Sequence, residues 1–144
     1  APMHDIGKIG IPDAILLNPG KLTHEEFEKI KVHPIIGGLI LSTSESKLLQ
    51  KAQEIALSHH EKFDGTGYPH GLHGKEIPIS GKIISICDVF DALTTKRPYK
   101  VPSSNQMAFD IIKKDTGTHF DPEVADVFLK GFDEILAVQE KFQG

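Results

Sequence analysis

Residues 80–98, SGKIISICDVFDALTTKRP, decide the class of the fold. Ile83, Ile84, Ile86, Cys87, Val89, Phe90 and Leu93 make the segment apolar on most sides, as a buried helix requires. Ser80 is placed to cap its start, and Arg97-Pro98 ends it, because the residue before a proline is driven out of the helical region. One residue disagrees with this environment. Asp88 lies among Ile84, Cys87, Val89 and Phe90, where a carboxylate costs several kcal/mol unless it is exposed, paired or bound to a metal. Pairing with a Lys or Arg from another helix stays open at this point.

Working outward, helix signals recur and strand signals do not. Before the buried helix, EKFDGTGYPHGLHGKEIP (61–78) holds four Gly and two Pro without periodicity, a long loop of the kind that usually carries function. The preceding LLQKAQEIALSHH (48–60) places Leu48, Ala52, Ile55, Ala56 and His59 on one face at helical spacing. Further back, Thr23 with Glu26 forms a capping box opening a helix through Phe27, Ile30 and Val32. Pro34 then fits the first turn of a following helix, IIGGLILS (35–42), whose two glycines point to close packing against a neighbour. On the other side, an amphipathic segment runs from about Ser104 to Lys114. Asp121-Pro122, an N-cap followed by proline in the first turn, opens another through Val124, Val127, Phe128 and Leu129. No repeat or linker divides the chain, so an all-α fold in one domain, residues 1–144, is expected.

Composition narrows the function. Sixteen Lys and Arg against 20 Asp and Glu give a net charge of −4, which offers no global field for duplex nucleic acid or an acidic membrane surface. The apolar runs 34–41 and 83–93 fall far short of a membrane span. The opening APMHDIGK lacks the charged and apolar regions of a signal peptide, and Cys87 is alone, so a reducing, cytoplasmic setting is expected.

Eight His against two Tyr and no Trp is the anomaly. His59-His60 ends a helix, the one place where adjacent residues can both face one site, since mid-helix neighbours point ~100° apart. His4-Asp5 opens the chain, and His33 sits at another helix end, where a structural reading is a favourable contact with a helix C-terminus. Separately each has an ordinary explanation. Together, His4, Asp5, His33, His59, His60 and Asp88 are an imidazole and carboxylate set able to converge on Fe, Mn, Zn or Ni. His24, His70, His73 and His119 have no place in that series.

The ordered series, with HDIGKIGIPDAIL (4–16), HHEKFDGTGYP (59–69) and the tail GTHFDPEVADVF (117–128), resembles the HD-GYP domain family, a branch of the HD metal-dependent phosphohydrolases. The resemblance implies a compact helical bundle that hydrolyses the bacterial messenger cyclic di-GMP to pGpG or GMP at two or three divalent ions, often iron or manganese, with zinc, nickel or magnesium possible. It makes His4, Asp5, His33, His59, His60 and Asp88 metal ligands, with Asp5 bridging. Lys8 would stand beside the reacting phosphate as a catalytic residue with Asp5, and Arg97 and Lys100 would hold phosphate oxygens. Metal ions a few Å apart supply hydroxide at neutral pH and stabilise both attacking and leaving oxygens.

Gly67 and Tyr68 are candidate substrate contacts, the ring offering a face to a guanine base or a docking point for a diguanylate cyclase (GGDEF) partner. A packing plug remains the plain alternative. Family members carry further helices before the HD motif, so the chain reads as N-terminally truncated, with an upstream sensor or receiver domain in its parent. On that view Asp5, His33, His59 and His60 hold one ion, the His4 and Asp88 site lacks a ligand and is partly filled or empty, and the activity of these residues by themselves is expected to be low or absent. Two other functions stay in play: a weakly catalytic or inactive binding module, and a phosphohydrolase for another cyclic dinucleotide.

Overall fold

Side-chain caps open three of the described helices in the computed structural model, which describes residues 3–18, 20–43, 45–96 and 101–143. After a 3-10 turn at Ile6–Gly10 come α1 (Asp13–Leu16), α2 (His24–Ile30), α3 (His33–Ile40) and α4 (Lys47–Ser58). A second 3-10 turn, Gly74–Glu76, precedes α5 (Ile79–Thr94), α6 (Asn105–Lys114), α7 (Pro122–Lys130) and α8 (Phe132–Gln143). Among the described residues there is no strand, only the isolated bridges Asp64 to His73 and Thr116 to Phe120. The all-α expectation holds.

Thr23 Oγ1 accepts from Glu26 N while Glu26 Oε1 accepts from Thr23 N, the expected box at the start of α2. Ser104 caps α6 through Met107 N, and Asp121 Oδ1 caps α7 through Glu123 N and Val124 N. The start of α5 differs from expectation. Pro78 is its cap residue and Ser80 lies within the first turn, where its hydroxyl donates instead to Glu54 on α4. A proline with extended backbone ends the loop by itself, so the serine is free to tie two helices together. Arg97 and Lys100 lie outside the described residues.

Two apolar clusters hold the bundle. The larger joins α5, α6 and α7 through Ile86, Phe90, Ala108, Ile112, Phe120, Ala125 and Phe128, with Phe132, Ile135 and Leu136 of α8 packed against it. The smaller centres on Leu41, Ala52 and Ala56, with Met3, Ile6 and Leu49 around it. Leu48, expected on the buried face of α4, is 74 % exposed, and Leu49 takes the inward position. The face that ends at His59 runs through residues 49, 52, 55 and 56, so the register is one residue from that expected at its start.

Ile83 and Cys87 are also exposed rather than buried. They line an apolar groove between α5 and the α7–α8 pair, beside Val124, Val127 and Ile135.

Glycine brings the first elements together. A Cβ on Gly7 would fall 1.8 Å from the His33 carbonyl oxygen, and one on Gly38 would fall 2.6 Å from Leu57. The Ile6–Gly10 turn therefore lies directly on α3, and α3 directly on α4, as the paired glycines led us to expect. Among the described residues no helix is long and apolar enough to cross a membrane.

Candidate metal centre

The close approach at Gly7 carries Asp5 and Lys8 to the start of α3. His33 is the first residue of α3, His59 closes α4 with His60 following, and Asp88 is in the third turn of α5. Asp5 is at the middle. Its Oδ1 lies 3.3 Å from His33 Nε2 and 3.3 Å from His59 Nε2, and its Oδ2 lies 3.2 Å from His4 Nε2 and 3.3 Å from Lys8 Nζ. His4 Nε2 is in turn 3.5 Å from Asp88 Oδ1. Among the described residues no Lys or Arg lies within ion-pair distance of Asp88, so the structural explanation left open for it fails there.

The far side of two imidazoles is fixed by backbone carbonyls. His33 Nδ1 is 2.7 Å from Ile30 O at the end of α2, and His59 Nδ1 is 3.0 Å from Ile55 O and 3.1 Å from Ala56 O. Those contacts assign the proton to Nδ1 and leave Nε2 as a lone pair turned inward. His33 is 1 % exposed, and its Nε2 is buried without a hydrogen bond of acceptable geometry while facing a carboxylate oxygen. Two electron-rich atoms so placed call for a proton or a cation between them.

The charge states match ligands. Burial resists ionisation of Asp5, but with the imidazoles of His33, His4 and His59 donating to it in the absence of an ion, those contacts and the charge of Lys8 outweigh burial and hold the carboxyl well below the usual range. His4 does the same for Asp88. Burial, then His59 and His33, push His60 down to about 3. Anionic carboxylates and neutral imidazoles are the forms that bind divalent ions.

The candidate ligands fall into two groups with donor atoms within 4.8 Å of one another: Asp5, His33, His59 and His60, and His4, Asp5 and Asp88. Asp5 belongs to both. All six residues singled out in the sequence thus meet at one place.

Tyr68 closes one side. Its ring stacks on His60 with centroids 4.8 Å apart and planes at 15°, and meets His33 and Phe27 edge-on. Burial, with the charges of Asp5 and Asp88, pushes its hydroxyl up to about 12, so it stays a donor. A Cβ on Gly67 would fall 2.4 Å from the His60 carbonyl oxygen, so glycine lets the loop fold flat against the histidine pair.

The remaining histidines are elsewhere: His24 faces Glu28, His73 pairs with Glu76, His70 is exposed and His119 stacks on Phe120. Sequence reasoning missed Glu61. It is 2 % exposed, and its carboxylate accepts from His70 N and Leu72 N, both at 2.9 Å. The available signal was an acid at the head of a glycine-rich loop, where backbone amides need acceptors.

A family model described as HD domain matches residues 1–124. The chain belongs to the HD-GYP branch of the HD domain family. This HD-GYP domain is 55 % identical over 141 residues to a cyclic di-GMP phosphodiesterase of Thermotoga maritima, covering 98 % of the chain and 38 % of that protein. It is 51 % identical over 147 residues to a cyclic di-GMP phosphodiesterase of Vibrio cholerae, covering 99 % of the chain and 28 % of the relative. A 3'3'-cGAMP-specific phosphodiesterase of Vibrio cholerae is 45 % identical over 139 residues, 96 % of the chain and 27 % of the relative. The HD-GYP domain thus spans between about a quarter and two fifths of the length of these relatives. Membership of the HD family implies divalent-metal binding, and the Asp5-centred cluster has the donors for it.

Proposed function

We propose that this domain hydrolyses cyclic di-GMP to pGpG or GMP with a pair or trio of divalent ions, iron or manganese ahead of zinc, nickel or magnesium. The carrying observation is the shared carboxylate. Asp5 turns one oxygen toward His33 and His59 and the other toward His4 and Lys8, joining two ligand groups through one side chain. The similarity to the cyclic di-GMP phosphodiesterases of Thermotoga maritima and Vibrio cholerae supports the substrate class.

On this proposal His33, His59, His60 and Asp5 hold one ion, and His4, Asp5 and Asp88 contribute to another. The bound ions supply Lewis acidity and lower the pKa of water enough to give a nucleophile at neutral pH. The chain's own residues do the rest. The carbonyls of Ile30 and Ile55 hold the protons of His33 and His59 on Nδ1 and keep their Nε2 atoms inward.

Lys8, 41 % exposed at its side chain and 3.3 Å from Asp5, presents an ammonium to a phosphodiester oxygen and balances the charge that grows there as the bond to the leaving 3'-oxygen breaks. Arg97 and Lys100 are assigned to the remaining phosphate oxygens. Gly67 and Tyr68 border the substrate's path at the His60 side. A cytoplasmic setting, control by an upstream sensor or receiver domain and docking of a diguanylate cyclase on the 65–72 loop complete the proposal.

The test is anaerobic purification of the longer parent chain with metal analysis, followed by chromatography of products from cyclic di-GMP and from 3'3'-cGAMP. Chelator-sensitive conversion of cyclic di-GMP to pGpG or GMP is expected. Binding of the dinucleotide without product from a metal-loaded protein would overturn hydrolysis and leave a binding module.

A further inference from the structure

Three of the histidines around Asp5, His33, His59 and His60, form one ligand group with it, and they are not held alike. His33 and His59 each set one ring nitrogen against a backbone carbonyl. Among the described residues the ring of His60 makes no hydrogen bond. What it has is a ring face: Tyr68 lies parallel to it at 15°, with His59 and His33 on its other flanks.

A histidine ligand needs an orienting partner, because its ring otherwise rotates away from the ion. Among the described residues, the parallel Tyr68 ring is the contact to His60 from outside the candidate ligand set, and it takes that task. Tyr68 is itself held by the loop, whose Tyr68 N donates to His60 O at 3.1 Å. The far limb of the same loop is pinned by Glu61, buried at 2 % exposure and filled by the amides of His70 and Leu72. A carboxylate accepting two amides where the chain turns back on itself locks residues 60–72 as one unit.

We propose that Glu61 is a positioning residue for the metal centre: it pins the 65–72 loop so that the Tyr68 ring orients His60 toward the ion held with Asp5, His33 and His59. This rests on the metal-centre assignment above. It gives Tyr68 a task apart from substrate, since one of its faces is already covered. Glutamine at position 61 keeps the shape but offers a single good acceptor, and its amide nitrogen meets the second backbone N–H donor to donor.

Cobalt(II) titration of the full chain, read by visible absorption, tests this directly. Wild type is expected to give an intense ligand-field spectrum from the imidazole-rich site. Glu61→Gln and Tyr68→Leu are each expected to weaken that site by about tenfold to a hundredfold and to change its band shape. Tyr68→Phe, which keeps the ring, is expected to stay within about twofold, and the double variant Glu61→Gln/Tyr68→Leu to lose little more than either single change, because both act through one contact.

Far-UV circular dichroism of the metal-free proteins checks folding. If Glu61→Gln does not fold, Tyr68→Leu carries the test alone, since Tyr68 contributes no buried side-chain hydrogen bond. Wild-type affinity and spectrum in Glu61→Gln or Tyr68→Leu would overturn the inference while the metal site stands. No cobalt binding by wild type would instead overturn the metal assignment itself, and the inference with it.

Discussion

One helix, α5, serves two centres of opposite chemistry. Toward α6, α7 and α8 it presents Ile86 and Phe90 to a cluster in which Phe90 meets Phe128 and Phe132 edge to face at centroid distances of 5.7 and 5.6 Å. Toward the Ile6–Gly10 turn it presents Asp88 to a cluster of four imidazoles and two carboxylates. The first centre is complete without help, since apolar surface leaves water and every contact is favourable. The second is not. Its inward-facing nitrogens and oxygens oppose one another at 3.2 to 3.5 Å, an arrangement that only added positive charge relieves. Stability and function are therefore separable along one helix, two residues apart.

The sharpest break of that contrast comes from Phe90→Ala. It is expected to lower the unfolding free energy by about 3 to 5 kcal/mol in denaturant titration, while metal affinity of the folded fraction stays at the wild-type value. The converse change is Asp88→Ala. Turnover and affinity at the His4 side are expected to fall about a hundredfold or more, ~2.7 kcal/mol, with metal-free stability changed by less than about 1 kcal/mol. Full metal occupancy in Asp88→Ala would remove it from the ligand set.

Gly7→Ala lies between the two classes. The new methyl must push against the His33 backbone, so a stability loss of about 1 to 3 kcal/mol is expected together with weaker metal binding, because Asp5 and His33 move apart. Loss of stability with unchanged metal affinity would show that the turn does not set the site. The smallest effect is expected from Thr23→Ala, which removes the α2 cap, 3.1 Å from Glu26 N, at about 1 kcal/mol and leaves both centres intact.

Much of this organisation was legible in the chain. Caps at Thr23, Ser104 and Asp121 follow local hydrogen-bond rules and could be read without tertiary context. The six site residues stood out because imidazoles and carboxylates at helix ends, or on an apolar helix, are costly to explain otherwise. What escaped was set by contacts between distant segments. Ser80 gave up a capping role for Glu54 on another helix, and Leu49 rather than Leu48 turned inward because α3 crosses α4 at Gly38 and Leu57. Glu61 escaped because its partners are amides nine and eleven residues ahead in a loop without periodicity. The Ile6–Gly10 turn and α8 were likewise absent from the expected elements, the first too short for periodicity and the second recognisable chiefly by its docking on Phe90 and Phe128.

The most direct measurement is the metal content of anaerobically purified protein, wild type beside Asp5→Asn, by inductively coupled plasma mass spectrometry. At least one divalent ion per wild-type chain is predicted, at the Asp5, His33, His59 and His60 group, with its loss in Asp5→Asn and retention of the helical circular dichroism. A wild-type protein without stoichiometric metal, or an Asp5→Asn protein that stays fully loaded, would contradict a centre built around that carboxylate.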